Sequence, residues 1–182
     1  MSIPNFSGCY SDVAGCPKLF EDLEAILGVV WSKLSEQLGN NACSQNMQTF
    51  VSMPSVATDN CNMVAVFPEG VSIERPQSVA QQMVLRRTRI QAGILVMFDG
   101  YPTVEMYDNV PVYPSTVEQH LASKFVMSMA WCVMCALNEA ISDGTLLGEN
   151  DISLDGNITN MELLAPEGAC AGFLIGLEVF RD

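Results

Sequence analysis

The segment from Pro114 to Gly144, PSTVEQHLASKFVMSMAWCVMCALNEAISDG, commits the chain to one long helix, and that helix limits what the rest can be. Ser115 and Glu118 stand in capping-box register: the hydroxyl accepts the third helical N–H, and the Glu side chain reaches back to the cap. Nothing interrupts the run before Asp143-Gly144, which places its end near Ser142. Leu121, Phe125, Met129, Cys132, Ala136 and Ala140 share one face and are expected to form the packed stripe. Glu118, Lys124, Asn138 and Glu139 lie mostly away from it.

The same start point decides a question of chemistry. Inside the helix, Trp131 precedes Cys132-x-x-Cys135, a spelling found in thiol–disulfide enzymes. Such a pair works when its first thiol sits at a helix N-terminus, where unpaired N–H groups stabilise the thiolate. Here the cap lies about four turns upstream, and Val133, Met134, Ala136 and Leu137 favour the neutral thiol. Positions i and i+3 of a regular helix also lack disulfide geometry. Redox catalysis is not expected, and Cys132 reads as a small core residue.

The remaining elements follow from period and punctuation. CPKLFEDLEAILGVVWSKLSEQLG gives a first helix, with Pro17 at its first position and Glu21, Asp22 and Glu24 near the positive end of its dipole. Its stripe is Phe20, Leu23, Leu27, Val30, Trp31, Leu34 and Leu38, and Gly39 before Asn40 and Asn41 ends it. Residues 1–16 are expected as an irregular N-terminal arm, and residues 40–62 as a long loop holding a short strand around Thr49 to Met53. NMVAVFPEG reads as a short strand stopped by Pro68 and Gly70, with Val71 to Gln82 a second excursion.

MVLRRTRIQAGILVMFDG gives a long strand with Ile90, Ala92, Ile94, Val96 and Phe98 on one face and Arg87, Arg89 and Gln91 on the other. Gly93 marks a bulge or a close backbone approach. Thr103 to Tyr107 returns as a strand after Asp99-Gly100. NITNMELLAPEGACAGFLIGLEVFRD is a hairpin whose second strand alternates Phe173, Ile175, Leu177 and Val179. This order predicts one α+β domain over residues 1–182, a mostly antiparallel sheet with two long helices packed on one face.

Composition narrows the partners. Charged residues are 16% of the chain and apolar residues 49%, against roughly 25% charged in ordinary soluble domains. A subunit that buries apolar area against neighbours tolerates this balance, so an oligomer is expected. With 21 acidic and 8 basic residues, a net of -13, the chain repels phosphate backbones, and no sequence-specific nucleic-acid partner is expected. The cluster Arg86, Arg87 and Arg89 reads as a solvated strand end rather than an anion site. No signal-peptide pattern precedes Pro17, and the apolar run Phe125 to Asn138 falls short of the ~20 residues of a membrane span. A soluble protein with reduced thiols and no membrane partner is therefore expected, with Cys9 and Cys16 placed to close a small loop or to join a partner under oxidising conditions.

Catalytic and metal-ligating patterns are sparse. His120 is the one histidine, no second Cys-x-x-Cys completes a zinc set, and no glycine-rich phosphate loop is present. No catalytic, cofactor-binding or metal-binding residue is assigned, and no enzyme activity or cofactor is expected. The rival to a structural role is calcium binding. DISLDGNITNME sets Asp151, Ser153, Asp155, Gly156, Ile158 and Glu162 in the register of an EF-hand loop at 151–162. Against it, Gly144 and Gly148 interrupt the entering helix and Pro166 cuts off the exiting one, so a polar turn entering a strand competes.

Taken together, the opening helix, the long strand into FDGYP, the second helix ending at EAISDGTLLG and the closing APEGACAGFLIGLEVFRD resemble the tail-terminator (tail-completion) and neck proteins of tailed bacteriophages. The most suggestive pieces are Asp143 to Gly148 after the helix and the Ala171-Gly172 step into a final strand ending in a charged pair. The extended N-terminus, the cysteine count and the loop at 40–62 depart from compact members. The resemblance implies a structural virion protein without an active site. It would form a homo-oligomeric ring, typically a hexamer, that caps the tail tube and docks to the head-side connector. It also implies a place in the virion tail or neck, reached by assembly in the host cytoplasm.

Overall fold

The computed structural model describes residues 18–39, 46–52, 61–74, 87–146 and 156–181. They form two helices, α1 (Lys18–Leu38) and α2 (Thr116–Ser142). The strands are β1 (Gln48–Val51), β2 (Met63–Glu74), β3 (Arg87–Phe98), β4 (Glu105–Tyr107), β5 (Val110–Val112), β6 (Gly156–Glu167) and β7 (Cys170–Arg181). The class is α+β. Five strands make a mixed sheet in the order β1-β2-β3-β7-β6, parallel between β1 and β2 and antiparallel elsewhere, while β4 and β5 pair apart from it.

Both helices end where local chemistry tells them to. Gly39 has φ 59° and returns its N–H to the Ser35 carbonyl at 2.9 Å, closing α1 in the left-handed conformation that glycine adopts without cost. At the start of α2 the Ser115 N–H donates to Glu118 Oε2 at 2.8 Å and the Glu118 N–H donates to Ser115 Oγ at 3.2 Å, so the capping box forms.

Strand alternation sorts the sheet residues into two sets. Val64, Val66, Ile90, Ala92, Ile94, Val96, Phe98, Phe173, Ile175, Leu177 and Val179 join Leu23, Ile26, Val30, Leu34 and Leu38 of α1 and Val126, Met129, Ala130, Val133, Leu137, Ala140 and Ile141 of α2 in one core. Phe98 meets Phe125 edge-on at 5.1 Å between centroids. The opposite set, Met63, Ala65, Phe67, Leu95 and Met97, forms a smaller cluster with Phe50, Leu164, Cys170 and Leu174 packed against it.

Three expectations about elements are corrected. The packed stripe of α2 is rotated: Leu121 is 58% exposed, Cys132 and Ala136 are half-buried, and Val126, Ala130, Val133, Leu137 and Ile141 are buried instead. The helix is apolar on several sides, so its period does not single out one. In α1 the stripe holds except that Phe20 is exposed and Ile26 is fully buried. Finally, β2 does not stop at Pro68 and Gly70 but runs on to Glu74 through a bulge between them. Because β1 pairs only as far as Val66, Pro68 lies where β2 has no strand partner on that side among the described residues, and its missing N–H is tolerated there. The bulge sits on β2; its partner Gly93 is the close approach, since the Phe67 ring lies where a Cβ on Gly93 would be.

One end of the sheet is tied together. Cys61 and Cys170 are disulfide-bonded across a separation of 109 residues, joining the approaches to β2 and β7. This corrects the expectation of uniformly reduced thiols; no sequence signal connects residues so far apart. Beside it, Asn62 (φ 62°) takes the Gln48 N–H on its carbonyl at 2.9 Å and the Asp99 N–H on its side-chain oxygen at 3.0 Å. The Tyr101 N–H donates to the Ala169 carbonyl at 2.8 Å, and the Tyr101 and Ser123 hydroxyls lie 3.1 Å apart.

Candidate interaction surface

The chain leaves this tied end as an arm. After Tyr101 it extends into β4, turns at Asp108-Asn109 and returns as β5 before Pro114 and the cap of α2. Asp108 and Asn109 both have positive φ, 48° and 62°, the pair of conformations that a two-residue hairpin turn requires and that Asp and Asn tolerate. Every residue of β4 and β5 is exposed. Tyr107 and Tyr113 are each 73% exposed, and Val104, Met106, Val110 and Val112 stand out of the fold with them. The expected strand at Thr103 to Tyr107 is thus present, but it pairs with β5 rather than returning to the main sheet.

A second set of exposed apolar side chains lies along α2. Val117, Leu121, Met127 and Trp131 recur on its outer side, Trp131 at 61% exposure. A groove of about 560 Å³ runs here between His120, Ser123, Lys124, Met127, Ser128, Trp131 and Cys132. A smaller cleft of about 260 Å³ lies at the base of the arm among Phe98, Tyr101, Phe125 and Ala171. Apolar side chains exposed in this way are where a folded domain can meet a partner.

The residues singled out from sequence fall as follows. Cys132 and Cys135 are free thiols in the body of α2, far from its cap at Ser115, half-buried and exposed respectively. His120 is exposed, with Ser123 and Lys124 as its neighbours along the groove. Arg89 forks onto Glu178 with Nη2 and Nε each 2.7 Å from a carboxylate oxygen, joining β3 to β7; it serves the sheet rather than an anion. Arg86, Cys9, Cys16, Asp151, Ser153 and Asp155 lie outside the described residues. The calcium alternative meets a direct obstacle. Gly156, Ile158 and Glu162 belong to strand β6, which pairs with β7 from Gly156 onward, so the exiting helix of an EF-hand is replaced by a strand. Among the described residues no cluster of His, Cys, Asp and Glu is placed to hold a metal ion.

The electrostatics of the surface are local. Ser115 donates two hydrogen bonds to Glu118, from its hydroxyl and its backbone N–H, and these hold the Glu118 carboxyl below its usual range. Helix α2 also has the length and composition of a membrane span, which the shorter run Phe125 to Asn138 does not reveal; yet seven of its residues are buried inside the fold. Sequence reasoning missed β5 and the exposed arm. The available signal was the turn pair Asp108-Asn109 between Met106-Tyr107 and Val110-Pro111-Val112. No protein-family model matches this chain, and no curated protein matches it either.

Proposed function

We propose that this chain is a structural, non-enzymatic virion subunit that closes into a ring at the end of a phage tail tube and docks the tail to the head-side connector. The observation that carries the reading is the apolar surface formed by the β4–β5 arm and the outer side of α2. It is built of Tyr, Trp, Met and Val, residues whose cover a lone domain cannot provide. We infer further that both helices lie on the same face of the sheet, since residues of both share one core with the same set of strand residues. The sheet then ends in two strands, β1 and β6, and the short β1 leaves the later part of β2 without a strand partner on that side among the described residues. The low charge and net of -13 fit a subunit whose area is spent on contacts with copies of itself and whose partners are proteins.

Electron microscopy of the purified full chain, alone and mixed with tail tubes, tests this. Closed rings of uniform diameter, free or seated at tube ends, are expected. Single subunits at the highest attainable concentration, with bare tube ends, would refute it.

A further inference from the structure

Two parts of the molecule offer a neighbour something to hold: the edge strand β6 and the β4–β5 arm. The edge is guarded. Its register breaks between Ile158 and Asn160 and again between Leu164 and Glu167, with Pro166 in the second break, and such irregularities discourage strand addition. The arm carries no such guard. A two-stranded hairpin is marginal in water on its own, and no residue of β4 or β5 is buried within the chain.

We propose that the arm of one copy lies in the α2 groove of a second copy, with Asp108 at its tip meeting Lys124. This rests on the ring reading above and specifies the contact that builds the ring. Charge selects the occupant. Among the cations whose side chains are described, Lys33 pairs with Glu36 and Arg89 with Glu178, while Lys124 meets no acidic partner among the described residues. His120 stands one turn before it on the same groove. The arm brings the opposite sign, with Glu105 in β4 and Asp108 at the exposed tip. In a chain with 8 basic residues against 21 acidic, a groove of this sign is uncommon surface, and the arm supplies its complement. The apolar parts match as well: Tyr107 and Val110 on the arm, Met127 and Trp131 in the groove, with aromatic anchors of the kind that dominate interfaces.

Arm and groove are different patches, so the contact is heterologous. It leaves a free arm at one side of each pair and a free groove at the other, and repetition closes a ring when the rotation between copies returns to its start. An anionic bilayer is a poorer occupant, because Glu105, Asp108 and Glu118 surround the arm with negative charge.

Native mass spectrometry and sedimentation of the full chain test the proposal. Wild-type protein is expected to form an assembly of several copies. Val110→Asp on the arm and Trp131→Asp in the groove are each expected to weaken association about tenfold or more, with melting temperature unchanged. Mixed together, the two variants are expected to give a discrete one-to-one complex, since each keeps the surface the other lacks. Asp108→Asn, which keeps the turn, and Lys124→Gln are each expected to weaken association several-fold, and the double variant no more than the stronger single one. If wild-type protein assembles and the arm and groove variants assemble equally well, the proposal fails and the ring reading stands. If wild-type protein stays monomeric at every concentration and leaves tail-tube ends bare, the ring reading fails and takes the proposal with it. Variants that lose assembly without forming the mixed complex overturn arm-in-groove docking. So does flotation with phosphatidylcholine vesicles that Val110→Asp abolishes, which assigns the face to lipid.

Discussion

The inner and outer sides of α2 are made of the same kinds of residue and meet different surroundings. Val126, Met129, Ala130, Val133, Leu137, Ala140 and Ile141 are buried in the core, while Val117, Leu121, Met127 and Trp131 face outward beside an arm of exposed Tyr, Met and Val. Hydrophobicity alone does not distinguish these sides. What distinguishes them is the partner within the chain: the inner side meets Phe98, Phe173 and their neighbours, and the outer side meets none of them. The difference separates the residues that fold the domain from those that the proposed assembly would use. Substitutions that cost stability should map to the first set and substitutions that cost association to the second.

The largest effect is expected at the covered side. Phe173, fully buried and tilted against Phe98 at 6.3 Å between centroids, should lose roughly 3–5 kcal/mol of stability on truncation to Ala. Denaturant unfolding measures it, and a loss under 1 kcal/mol would mean that the core closes over the gap or is not packed as described. Next comes the tied end. Replacing Cys61 and Cys170 with Ser removes a link closing a separation of 109 residues and should cost about 2–5 kcal/mol under oxidising conditions. Under reductant the variant and wild type should unfold alike; a gap that persists under reductant would assign the effect to packing.

A smaller effect is expected at the start of α2, where the covered and uncovered sides share one cap. Ser115→Ala should cost about 1 kcal/mol in thermal unfolding near neutral pH. The sign of its pH dependence follows from Glu118, whose folded carboxyl lies below its ordinary value of 4.5 because Ser115 donates to it. Its contribution is therefore present above that ordinary value and is lost as pH falls through the lower folded value. The difference between wild type and Ser115→Ala should narrow in acid, and a difference that widens there would contradict the capping box. Smallest of all, Val110→Asp and Trp131→Asp should shift stability by no more than about 0.5 kcal/mol, as surface changes do. A loss comparable to that of Phe173→Ala would erase the distinction between the two sides.

The same distinction explains what the sequence made legible. In α1 the stripe Leu23, Val30, Leu34 and Leu38 was readable because Glu24, Lys33, Glu36 and Gln37 occupy the other positions, so the period has one solution. Strand β7 was readable for the same reason, with Phe173, Ile175, Leu177 and Val179 alternating on one face. In α2 the apolar residues surround the axis. Choosing Leu121 and Cys132 over Val126, Val133 and Leu137 was a choice that only the positions of the strands could make. Pro68 misled because its tolerance depends on how far β1 extends, a long-range fact. The surface was the least legible part, since exposure of Tyr107 or Val110 depends on the arm leaving the main sheet, and nothing local in those residues differs from a buried strand.

The most direct measurement follows the indole of Trp131 as copies come together. In a Trp31→Phe background Trp131 is the remaining tryptophan, 61% exposed in the single chain. Its emission should move to shorter wavelength as protein concentration rises, in step with the sedimenting mass, because a neighbour's arm covers it. Emission that stays that of a hydrated indole while the mass increases would show that copies meet elsewhere, and would contradict the claim that this surface is what assembly buries.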